Sequence, residues 1–74
     1  MNENEQIRSI LVKLREKAGL SQAQVAQRMG THAPAVCRIE SIDRKHSPSL
    51  RTLQKYAEAI GYSLEVVLKA RQYN

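Results

Sequence analysis

Apolar residues recur at three- and four-residue intervals through most of this chain, and each run stops at a glycine or a polar stretch. Ile7, Ile10, Leu11, Leu14 and Ala18 share one helical face and Gly19 follows as a stop, which predicts a first helix over residues 6–18. Leu20 sits under the junction. Ser21-Gln22-Ala23-Gln24 has capping-box spacing: the Ser21 hydroxyl accepts from the Gln24 amide while the Gln24 side chain reaches back. A second helix over 22–29 then turns Val25, Ala26 and Met29 inward. It ends at Gly30, where the missing Cβ permits the left-handed backbone of a tight reversal. A third helix over 33–42 has Thr31 or His32 as its N-cap and Pro34 in its first turn, where a missing amide costs nothing. Val36 and Ile39 face its core side, leaving Ala33, Cys37 and Arg38 on or near the other. After a polar, charged stretch over 41–48, Ser47 or Ser49 caps a fourth helix over 49–60. It carries Leu50, Leu53, Ala57 and Ile60 and is closed by Gly61.

The two ends are less regular. Residues 1–5 are polar and acidic and read as a flexible arm, and residues 71–74 as a tail. Over 62–70, Leu64, Val66 and Leu68 alternate with Glu65, Val67 and Lys69, which is the period of a strand. Leu64, Val67 and Leu68 also suit a short helix, although the strand is favoured. A lone strand leaves its backbone groups unpaired, so the strand reading requires the same segment of a second subunit. Tyr62, Leu64, Val66 and Leu68 then form a dimer interface. The expected fold class is all-α, a compact four-helix domain with this C-terminal strand pairing across a dimer.

Composition narrows the function classes. Seventy-four residues make one domain near the lower limit for a self-sufficient core, and a dimer interface would relieve that limit. With three Tyr and no Phe or Trp, burial falls to the aliphatic residues. Twelve Lys and Arg against seven acids leave a net charge of +5, which suits a nucleic-acid partner. Cys37 is the single cysteine, so neither a disulfide nor a zinc framework forms within one chain. The N-terminus lacks the apolar core of a signal peptide and no apolar run reaches membrane-spanning length, so the expectation is a soluble cytoplasmic protein with no membrane partner. His32 and His46 have no partners at metal-ligand spacing, and no glycine-rich phosphate loop follows a strand. No enzyme, metal or cofactor is expected.

Two short helices joined by a glycine turn, with Arg38, Arg44 and Lys45 close by, are the arrangement by which a second helix enters the major groove of duplex DNA. Arg38 is the leading base reader, since arginine makes a bidentate contact to guanine. His32 stands at the start of the same helix, Cys37 lies mid-helix near the DNA face, and Ala33 and Pro34 can pack on a thymine methyl. Phosphate contacts fall to Gln22 at a positive helix terminus, to Thr31, and to Arg44, Lys45, His46 and Ser47. Each has a plainer reading: Gln22, Thr31 or His32 as a cap, the Arg44-Lys45 pair as a solvated loop, and Cys37 as a small filler.

At GLSQAQVAQRMG and VCRIE the chain resembles the Cro and phage-repressor type of helix-turn-helix domain, the XRE family. Gln22, Ala26, Gly30, Val36 and the closing Arg38-Ile39-Glu40 carry the match, with Arg15 on the first helix. PSLRTLQKYAEAIGYSLEVVLK, residues 48–69, is similar to the antitoxin branch of that family, the HigA and HipB type, in which a fourth helix leads into a strand paired across a dimer. The resemblance implies a bacterial or phage-encoded homodimeric repressor on a palindromic operator, with half-sites about 10 bp apart. It also implies an Arg15–Glu40 ion pair tying the first helix to the third. The alternative it implies is an antitoxin that binds a toxin protein and autorepresses its operon. Ile7, Ile10 and Leu11, too many for one narrow inward face, suit that alternative. The chain departs from the family in its long, glycine-free stretch 41–47 and in Ala33 and Pro34, which stand at the usual base-reading positions without hydrogen-bonding side chains.

Overall fold

The computed structural model describes residues 2–42 and 47–72, and these form four helices with no strand among them. They are α1 (Glu3–Lys17), α2 (Gln22–Met29), α3 (Ala33–Glu40) and α4 (Leu50–Ala59). Leu11 from α1, Val25 and Ala26 from α2, Val36 from α3, and Leu53, Tyr56 and Ala57 from α4 meet in one buried core. Ile7, Leu14, Leu20, Met29 and Ile39 pack around it, so nearly all the apolar periodicity is used. Ala18, Leu50 and Ile10 are the exceptions. All three belong to the inward stripes expected from spacing, yet Ala18 and Leu50 are exposed and Ile10 keeps 56% of its surface.

Three of the four helices end in the same way. Gly19, Gly30 and Gly61 all take positive φ. At Gly30 the Thr31 amide donates to the Ala26 carbonyl and the Gly30 amide to that of Gln27, a Schellman closure that satisfies two orphan carbonyls. No atom lies within 4 Å of where a Gly30 Cβ would sit, so the requirement for glycine there is the backbone angle and not space. α3 has no glycine and stops at Glu40, two residues before the expected end. Ser41 leaves the helix with ψ 129°, and its carbonyl accepts from the Arg8 guanidinium.

Residues 3–5, expected as part of a flexible arm over 1–5, form the first turn of α1. Asn2 caps it by accepting from the Glu5 amide at 2.8 Å, and Glu3 and Glu5 suit the positive end of a helix. Asn4 donates to the Pro48 carbonyl at 3.2 Å, and Arg8 is only 1% exposed. Polar residues at a chain end read as frayed because their partners, at positions 41 and 48, are distant in sequence. Past the Schellman closure at Gly61, residues 62–72 are neither strand nor helix. The strand expected there finds no second strand to pair with among the described residues.

Candidate nucleic-acid interface

The capping box forms at the start of α2, with Ser21 Oγ accepting from the Gln24 amide at 3.0 Å and Gln24 Oε1 accepting from the Ser21 amide at 2.8 Å. Capping is therefore done by Ser21 and Gln24, which releases Gln22. Its Nε2 donates to Glu40 Oε1 at 2.9 Å. Glu40, the last residue of α3, collects partners from every other helix. Arg15 grips it with Nε to Oε2 at 2.7 Å and Nη2 to Oε1 at 3.1 Å. Tyr56, buried in the core, donates its hydroxyl to Oε2 at 2.5 Å. Arg15 also donates to the Leu20 carbonyl at 2.8 Å, which fixes the α1–α2 corner.

Charge and burial act together at this knot. Burial alone would raise the Glu40 carboxyl, but hydrogen bonds from Arg15, Tyr56 and Gln22 and the Arg15 charge outweigh it and hold the group below the usual carboxylate range. The Arg15 guanidinium is correspondingly raised, chiefly by its bond to Glu40. Burial, then the Glu40 carboxylate, push the Tyr56 hydroxyl well above its ordinary value. The three stay in their hydrogen-bonding forms around neutral pH. α3 is thus held at one end by a four-helix network while its other face is left clear.

On that clear face, His32, Pro34, Cys37 and Arg38 are exposed, and Thr31 and Ala33 are half-buried. His32 is the N-cap of α3 by backbone conformation and makes no side-chain cap bond, so its imidazole is not spent on the helix. Pro34 stands in the first turn, where the helix needs no amide from it. Thr31, His32, Pro34 and Arg38 line one side of a concavity of about 480 Å³, and Thr52 and Lys55 of α4 line the other. Thr52 and Lys55 were missed in the sequence. They are three residues apart on α4, and that spacing is the only local signal, because their place beside α3 depends on packing between distant segments.

Not every candidate residue is gathered here. Arg44, Lys45 and His46 lie outside the described residues, and Ser47 is exposed on the approach to α4. Of the candidate dimer residues, Tyr62, Val66 and Leu68 are exposed, Leu68 at 93%. Leu64 is already half-buried against this chain's own core, and its carbonyl accepts from Gln54 at 3.4 Å. No three His, Cys, Asp or Glu among the described residues are placed to hold a metal ion. No helix among them is long and apolar enough to cross a membrane.

Comparison with known proteins agrees with this geometry. The chain is 42% identical over 59 residues to antitoxin HigA1 of Mycobacterium tuberculosis, in both strain CDC 1551 / Oshkosh and strain ATCC 25618 / H37Rv. Those residues are 80% of this chain and 38% of each relative, so the chain spans well under half the length of the curated relatives it matches. No solved structure matches. A helix-turn-helix family model matches residues 11–67, a span that holds the capping box, the Gly30 turn, α3 and α4. This chain belongs to the helix-turn-helix family, of the XRE type.

Proposed function

We propose that this chain is a sequence-specific, DNA-binding transcriptional regulator that lays α3 in the major groove and works as a homodimer on a palindromic operator. The observation that carries the reading is the Glu40 knot. It immobilises the inner end of α3 against three helices and leaves His32, Pro34, Cys37 and Arg38 facing outward. A reading helix needs that combination of rigid support and an open face. Arg38 is the base reader, with Ala33 and Pro34 offering apolar contact to thymine. Gln22 and Thr31, with Ser47 and the cations Arg44, Lys45 and His46, serve the phosphates. Gln22 would leave Glu40 to do so with its side chain, or contact a phosphate through its backbone amide.

A second reading, that the chain is an antitoxin which also binds a toxin protein, draws on one specific feature. Ile7, Ile10, Leu11 and Leu14 of α1 line an apolar groove with Ala57 and Leu64, and Ile10 is half-exposed beside it. The relatives of that name support it. One experiment bears on both readings: binding of wild type and Arg38→Ala to duplexes selected from a randomised pool, with a co-encoded neighbour protein offered separately. Arg38→Ala is expected to lose about 5- to 150-fold of preference for the selected site, the range of one bidentate base contact. An unchanged preference removes Arg38 as the reader, and capture of the neighbour by both proteins favours the antitoxin.

A further inference from the structure

The cationic surface does not end at α3. Arg28 in the last turn of α2 and Arg51 and Lys55 on α4 line a second concavity of about 470 Å³. Lys55 and Met29 border both this hollow and the one beside α3, so the two form a continuous step. Arg28 is fixed in place, because its Nη1 donates to the Ala59 carbonyl at the end of α4, at 2.9 Å. A guanidinium has five N–H donors, so one such bond leaves Arg28 with donors to spare. Arg51 and Lys55 are exposed, four residues apart on one face of α4, and form no ion pair among the described residues. Glu58 stands on the same rim, and the step remains net positive with it.

We propose that Arg28, Arg51 and Lys55 grip phosphates of the duplex outside the half-site read by α3, lengthening the footprint on DNA beyond the helix-turn-helix. This assignment rests on the DNA-binding reading above. Three cations held on two packed helices suit a row of phosphates, and their junction with the α3 face through Lys55 places them along the same ligand. An acidic protein surface is the competing occupant, but nothing about that ligand calls for the shared border with α3.

The test uses the full chain and a duplex selected by it from a randomised pool, in two forms: cut flush with the half-sites, or extended by five base pairs on each flank. On the extended duplex, the double variant Arg51→Ala/Lys55→Ala is expected to lower the slope of log affinity against log salt by about 2, close to 0.9 for each lost phosphate contact. Its ranking of half-site sequences should match wild type, and on the flush duplex the two proteins should converge. Lys13→Ala/Lys17→Ala on α1 serves as the control and should leave the slope unchanged. An unaltered slope for the Arg51/Lys55 variant on the extended duplex overturns the proposal, and loss of a protein partner in its place would assign the step to that partner. A wild-type protein without salt-dependent duplex affinity would instead overturn the underlying DNA reading.

Discussion

Glu40 shows how one side chain organises this molecule. Its carboxylate accepts from Arg15, Gln22 and Tyr56, so removing it strands a buried phenol and a half-buried guanidinium. Glu40→Gln is expected to cost about 2–4 kcal/mol at neutral pH, the range for losing charged hydrogen bonds in a partly buried pair. The pH dependence has a definite sign. The folded-state value of Glu40 lies below the unfolded one, so its stabilisation is present above about pH 4 and is lost as pH falls through the folded value. Tyr56 acts oppositely. Its raised value contributes stability that is full below about pH 10 and is lost as pH rises through the folded value. Urea midpoints measured across pH should therefore fall at both extremes. Glu40→Gln should flatten the acid limb and Tyr56→Phe the alkaline one, and unchanged limbs would assign the titration to other groups.

Among the elements, α1 does more than cover the core. Asn4 and Arg8 hold the carbonyls of Pro48 and Ser41, the two ends of the connection between α3 and α4. Arg8 is 1% exposed and its Nε has no partner, so its burial is offset by packing and by the bond to Ser41. Arg8→Ala is expected to destabilise by about 2–4 kcal/mol through the lost charged hydrogen bond and the space it leaves. Arg8→Lys should restore little of this, because an ammonium on a flexible stem does not replace a planar fork. Urea unfolding of the three proteins checks it, and equal stability of all three would show that the Ser41 carbonyl needs no anchor. The local reason is plain: α3 lacks the glycine closure that ends its neighbours, so its last turn is finished from outside by α1.

For the whole molecule, the exposed segment after Gly61 is the surface on which a dimer would form. Residues 62–72 carry Tyr62, Val66, Val67 and Leu68 into solvent and have no ladder partner among the described residues. A second copy aligned on the same segment would supply both the backbone pairing and the apolar cover. Truncation after Gly61 is expected to give a folded monomer with operator affinity reduced at least tenfold, checked by sedimentation and duplex binding. Some loss of stability should accompany it, since Leu64 packs on the core. A truncated chain that is still dimeric would place the interface elsewhere.

Local chemistry was enough to read the position of α2, the start of α3, the capping box at Ser21 and the Gly30 turn from the amino-acid sequence. Capping, left-handed glycines and helical periodicity act over four or five residues, a range within which a linear pattern is complete. What depended on distant partners was not legible. The folding of residues 3–5 into α1 needed the Pro48 carbonyl and Arg8 needed that of Ser41. Lys55 came to border the α3 face only through the packing of α4 on α2. Even the Arg15–Glu40 pair was available only by resemblance, and its extension to Gln22 and Tyr56 came from packing. Sequence alone determined that four helices form and that glycines close three of them, whereas the end of α3 waited on Arg8. The tertiary structure decided which polar side chains meet and which cations share a surface, because those are contacts between residues far apart in the chain.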